Sequence, residues 1–157
     1  MDAHVIWFED LKREDVARVG GKNSSLGEMV QNLAAKGIAV PGGFATSADA
    51  YRAYLKANDL TGFIDETMEA LDASRLTLQQ AGTKIREAVF QGHWPEDIRE
   101  AIVTAYRELS KRAGKEEAAT AVRSSATAED LPDASFAGQQ ETYRNVVGED
   151  ALLEYCR

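Results

Sequence analysis

The chain has 157 residues, 44% of them apolar and 28% charged, a net charge of −8 and one cysteine, Cys156. That composition belongs to a folded globular domain and excludes a disordered chain, while the acidic balance opposes a nucleic acid or an anionic membrane as partner. No run approaches the roughly 20 apolar residues of a membrane span, the N-terminus lacks the pattern of a signal peptide, and a lone cysteine with no internal disulfide points to the cytoplasm.

Val5 to Phe8 reads as a short buried strand. Gly20-Gly21-Lys22 then leads into an amphipathic helix with Leu26, Met29, Val30, Leu33 and Ala34 at helical spacing. Ser25 and Glu28 fit a capping box, with Asn23 and Ser24 as alternative caps, and Gly37 and Pro41 punctuate the end. Ile38 to Val40 and Phe44-Ala45-Thr46 read as short extended pieces. Thr46 or Ser47 begins a helix carrying Ala50, Tyr51, Tyr54 and Leu55. Phe63, Ile64, Thr67, Met68 and Leu71 predict another short helix, and Leu78, Ala81, Ile85, Ala88 and Val89 a longer one. Pro95 is placed as the first residue of the best-patterned helix, whose stripe is Ile98, Ala101, Ile102, Ala105, Tyr106 and Leu109 and which Gly114 closes.

A short apolar lead (Ala118, Ala119, Ala121, Val122) delivers Arg123 to the end of a strand. A long loop of small polar residues follows, and Glu141 to Val147 returns as a second strand. Glu149 to Arg157 has the acidic first turn and apolar spacing of a new helix that stops after about two turns with no terminating residue, as a cut chain would. Leu152, Leu153 and Tyr155 are therefore expected to lack a partner, which predicts self-association. The sum is an α+β fold, helix-rich with a small sheet. His4 and His93 stand in no metal-ligand pattern and no zinc site can be read.

Two segments carry chemistry. The loop after Arg123 exposes backbone N–H groups beside a forked, permanently charged donor, an arrangement suited to phosphate. Lys22 stands at the start of a helix, where partial positive charge and unpaired N–H groups also favour an anion. The ordinary readings are a solvated hairpin loop and a surface turn. A Walker A loop is excluded, because Val16 stands where glycine is required and Asn23 where Ser or Thr must follow the lysine. Asp130 and Asp133, or Glu129 and Glu141, are imaginable metal carboxylates, but loop solvation explains them more simply.

Gly20-Gly21-Lys22-Asn23 with Leu26-Gly27-Glu28-Met29, Val40-Pro41-Gly42-Gly43-Phe44-Ala45-Thr46, and the run from Ala121 to Asn145 together resemble the N-terminal part of the phosphoenolpyruvate synthase family. The similarity runs in order along nearly the whole chain and is weakest over about residues 57–117. It implies that residues 1–157 are the first part of an ATP-grasp nucleotide-binding domain. It also implies the family's gluconeogenic reaction, conversion of ATP, pyruvate and water to phosphoenolpyruvate, AMP and phosphate through a phosphohistidine, with Mg2+. By the resemblance, Lys22 and Arg123 are ATP phosphate-binding cations, Gly138 lets a mobile loop close over the nucleotide, and Thr142 contacts ATP. Catalytic residues, metal ligands and adenine contacts are expected outside this segment. So are the phosphohistidine and pyruvate-binding barrel domains, its partners in the intact chain, and the segment alone is expected to be inactive. The rivals are a rifampicin phosphotransferase, with similar motifs but an antibiotic acceptor, and a non-catalytic nucleotide-binding module. Retention of both Lys22 and Arg123 disfavours the module. Pyruvate phosphate dikinase fits less well, since its loop reads differently after the arginine.

Overall fold

In a computed structural model, residues 3–127, 130–131, 134–135 and 141–157 are described. Strand β1 (Val5–Trp7) pairs antiparallel with β2 (Phe44–Thr46), matching Ile6 with Ala45. Only Ile6 of β1 is buried, and the strand stops at Trp7 because Phe8 opens a 3-10 turn, Phe8–Asp10. Ile6, Leu11, Val19 and Ala45 form a small core there.

Between these strands lie α1 (Val16–Val19) and α2 (Gly21–Ala34). Helix α2 departs from its expected form in two respects. Its start lies well before Ser25, because Gly20, at φ 82°, turns the chain from α1 straight into α2 and is itself the N-cap, with no side-chain cap. Asn23 and Ser24 instead donate to the carbonyls of Val19 (2.8 Å) and Gly21 (3.0 Å). Its buried face is also the small one, Gly21, Ser24 and Gly27, while Met29 of the apolar stripe is 44% exposed. A side chain at Gly27 would begin 2.6 Å from Leu11 Cβ, so the helix rests flush on the preceding segment through glycine. The end is as expected. Gly37 adopts φ 74°, and the Ile38 N–H donates to Leu33 O (3.0 Å) across it, a Schellman closure.

Residues 38–40 form no strand. Helix α3 (Ala48–Ala57) begins at Ser47, whose hydroxyl accepts the Ala50 N–H (3.2 Å). Helices α4 (Leu60–Asp72) and α5 (Leu78–Gln91) pack against each other, and α4, at 13 residues, is longer than its pattern predicted. Thr77 and Gln80 form a reciprocal capping box at α5.

Helix α6 (Glu96–Arg112) is central. Pro95 sits just before it as N-cap, acids fill its first turn and Lys111 and Arg112 its last, each sign matched to the helix dipole. Its inner face, Ile98, Ile102, Val103 and Tyr106, packs with Ala50 from α3. The remaining strands are β3 (Thr120–Arg123), β4 (Asp130–Leu131), β5 (Ala134–Ser135) and β6 (Thr142–Val146), with β3 pairing β6 and β4 pairing β5, both antiparallel.

The final helix, α7 (Glu149–Tyr155), corrects an expectation. Leu152 and Leu153 are 4% and 8% exposed and belong to the core of α6 and Val146, because Gly148, at φ 92°, turns α7 back onto α6. The Trp94 indole N–H donates to Leu153 O at 3.0 Å. Neither leucine offers a bare face for self-association. Tyr155 alone of the three stays 43% exposed, its ring 4.7 Å from that of Tyr143. Among the described residues no helix is long and apolar enough to cross a membrane.

Candidate phosphate site

The site is anchored in the core of α6. Tyr106, 1% exposed, donates its hydroxyl to Ala118 O (2.8 Å) and accepts the Gly148 N–H (2.9 Å). Ser110, one turn on, accepts the Ala118 N–H at 3.0 Å. Both backbone groups of Ala118 are thus satisfied by buried side chains, and β3 leaves the core from a fixed root.

At its far end β3 carries Arg123, whose ladder partner is Thr142. The register passes through a bulge, since Thr120 opposes Val146 whereas Val122 opposes Tyr143, leaving one extra residue in β6. Asn145 absorbs it at φ 56°, a left-handed conformation that asparagine tolerates better than most residues. A one-residue change of register would send side chains to the opposite face, so the bulge decides that Arg123 lies across from Thr142. Both are exposed.

The chain after Arg123 folds over the start of α2. Ser124 donates its N–H and its hydroxyl to Glu141 O (3.4 Å each), which holds the two strands together at the tip. The Gly21 N–H donates to Ala126 O (3.2 Å) and the Lys22 ammonium to Ser124 O (3.4 Å). Lys22 and Ser124 are 102 residues apart in sequence. Three of the four residues singled out by motif, Lys22, Arg123 and Thr142, are thereby brought to one neighbourhood. Gly138 lies outside the described residues, as do Glu129 and Asp133.

The electrostatics suit an anion. Helix α2 carries no acid in its first turn, where a helix ordinarily prefers one, and places Lys22 there instead. The Glu141 carboxylate is engaged locally by the Tyr143 hydroxyl, a hydrogen bond that raises the phenol's pKa. Among the described residues no group of three or more His, Cys, Asp or Glu is placed to hold a metal ion. Sequence reasoning missed the roles of Tyr106 and Ser110. Their one signal was a tyrosine and a serine four residues apart on the inner face of a helix whose other inward residues are aliphatic.

Residues 16–157 match the family described as pyruvate phosphate dikinase, AMP/ATP-binding domain, and the chain belongs to that family. It is 50% identical over 154 residues to the phosphoenolpyruvate synthase of Neisseria meningitidis serogroup B, covering 98% of this chain and 19% of that protein. Against the phosphoenolpyruvate synthase of Escherichia coli K12 the identity is 49% over 150 residues, 95% of this chain and 19% of the relative. A probable phosphoenolpyruvate synthase of Methanocaldococcus jannaschii is 44% identical over 154 residues, 98% and 13% respectively. The chain spans a fifth or less of the length of these relatives.

Proposed function

We propose that this chain binds ATP by its phosphates within a phosphoenolpyruvate synthase. In this reading Lys22 and Arg123 are the charged donors, Thr142 lies across from Arg123, and Gly138, outside the described residues, keeps the nucleotide-closing role that the family resemblance gives it. The observation that carries it is the Lys22 ammonium on the carbonyl of Ser124, the residue next to Arg123, at 3.4 Å. Two cation-bearing elements distant in sequence are held together there, the Lys22 ammonium on Ser124 O and the Gly21 N–H on Ala126 O. The family match and the names of the relatives support this reading over a rifampicin phosphotransferase.

Phosphoryl transfer is mostly positioning and neutralisation of charge, and these residues are equipped for both. Lys22 offers a point charge at a helix start, and Arg123 a planar fork that can grip two oxygens. The full reaction, from ATP, pyruvate and water to phosphoenolpyruvate, AMP and phosphate through a phosphohistidine, belongs in this reading to a protein about five times as long. Residues 1–157 are there the first part of an ATP-grasp unit in a cytoplasmic, gluconeogenic enzyme. Magnesium accompanies ATP in this reading, and among the described residues no group of three or more His, Cys, Asp or Glu is placed to hold it.

Calorimetric titration of ATP into this chain, its Lys22→Ala variant and its Arg123→Ala variant tests the reading. A hydrogen bond to a charged group contributes about 1.5–3 kcal/mol, so each variant loses about tenfold to a hundredfold in affinity. Absence of binding by the parent, or unchanged affinity in both variants, overturns it.

A further inference from the structure

We infer that Gly20 is a positioning residue for this site: lacking a side chain, it lets residues 124–126 seat on the first turn of α2 and so sets how far Lys22 stands from Arg123. The ligand in this inference rests on the ATP reading above; the seating does not.

Gly20 has φ 82° and ψ 165°, a conformation open essentially to glycine alone. Its surroundings add a second demand. A Cβ built there would lie 2.2 Å from Ser125 Oγ and 2.9 Å from Ala126 O. Gly37 and Gly114 also have positive φ, at 74° and 65°, but nothing lies within 4 Å of a Cβ at either. Those two glycines serve a turn; Gly20 serves a turn and a close approach.

Ser125 shows that the approach is steric. Its hydroxyl is buried and makes no hydrogen bond among the described residues, so it does not hold the loop by bonding. The loop is held on either side of it, through the Gly21 N–H on Ala126 O and the Lys22 ammonium on Ser124 O. A side chain at Gly20 would push against the middle of that seat and strain both bonds. Because Tyr106 and Ser110 fix the root of β3 at Ala118, the displacement falls on the far end of the strand, where Arg123 is.

The test compares the parent with Gly20→Ala, Gly20→Ala/Ser125→Gly and Ser125→Val, reading ATP affinity by calorimetry and exchange of the Gly21 amide by NMR. Gly20→Ala should weaken ATP about tenfold or more and speed Gly21 exchange about tenfold, as expected when the amide loses its acceptor. Adding Ser125→Gly removes the nearest obstructing atom and should restore part of both, but not all, because the Ala126 carbonyl and the backbone strain remain. Ser125→Val crowds the same contact from the loop side and should reproduce the loss, which keeps the test decisive if Gly20→Ala does not fold. Parental exchange and affinity in Gly20→Ala and Ser125→Val, or no recovery in the double variant, would overturn the inference. If the parent fails to bind ATP, the functional reading falls, and Gly21 exchange alone still decides the seating.

Discussion

Tyr106 on α6 donates its hydroxyl to the carbonyl of Ala118, twelve residues further along the chain, and this one bond ties the packing of the core to the root of the strand that bears Arg123. The same oxygen accepts the Gly148 N–H, so it also fixes the turn into α7. Tyr106→Phe leaves a buried carbonyl and a part-buried amide without that partner. The expected cost is about 1–3 kcal/mol, read by urea denaturation as a lower midpoint with an unchanged slope. A variant as stable as the parent would show that neither bond matters.

Arg123 separates function from stability. Exposed at a strand end, it contributes little to the fold, so Arg123→Ala should leave the melting temperature within about 1–2 °C while weakening ATP by about tenfold or more. Arg123→Lys should recover little, because a point charge does not reproduce the planar fork. If the arginine served only to order its loop, the melting temperature would fall and nucleotide affinity would hold.

Gly27 is expected to be intolerant of even one methyl group. Alanine there meets Leu11 Cβ at 2.6 Å and Phe8 O at 2.9 Å, and neither the backbone nor a fully buried leucine yields cheaply. Overpacking of this kind costs about 1–3 kcal/mol, outweighing the better helix propensity of alanine, which is worth about 1 kcal/mol. Thermal denaturation of Gly27→Ala decides it, and a rise in melting temperature would refute the contact.

Acid should loosen the joint between α6 and α7. Arg107 grips Glu149 with both Nε (2.6 Å) and Nη2 (3.1 Å), which holds that carboxyl below its ordinary value of 4.5. A depressed carboxyl stabilises the fold above its unfolded pKa, and the contribution disappears as pH falls through the folded value. The gap in melting temperature between the parent and Glu149→Gln should therefore be full above the ordinary carboxyl value of 4.5 and shrink as the pH falls below it. The pair is exposed, so the gap is small and shrinks in high salt. A gap that stays the same throughout the acid range would contradict the assignment.

Cys156 should be inert while the chain is folded. It packs against the main core, and burial pushes its thiol up to about 12, so almost no thiolate is present at pH 8. Iodoacetamide followed by mass spectrometry should leave it unmodified in buffer and alkylate it in guanidinium. Rapid alkylation of the native chain would refute the burial.

What the sequence determined by itself was local. The stripe of α6, a cap at Thr46 or Ser47 and the stops at Gly37 and Gly114 were legible because each depends on residues within a turn or two, through hydropathy period, side-chain capping or positive φ, and the structure chose Ser47. Lys22 and Arg123 were legible as candidates because a cation at a helix start, or beside a loop of small residues, suits a phosphate, whereas Thr142 and Gly138 came only from the family resemblance. Which surfaces meet was decided only by the tertiary structure. The apolar residues of α2 pointed to the wrong buried face, since the helix packs through Gly21, Ser24 and Gly27, and a missing side chain leaves no mark in a hydropathy pattern. Leu152 and Leu153 looked bare because their partners, α6 and Val146, are non-local. The alignment of Arg123 with Thr142 hangs on a bulge at Asn145, and the closeness of Lys22 to Ser124 on a glycine that fits beneath residues a hundred positions away. Steric fit between distant segments is a property of both at once, so neither segment's sequence reveals it alone.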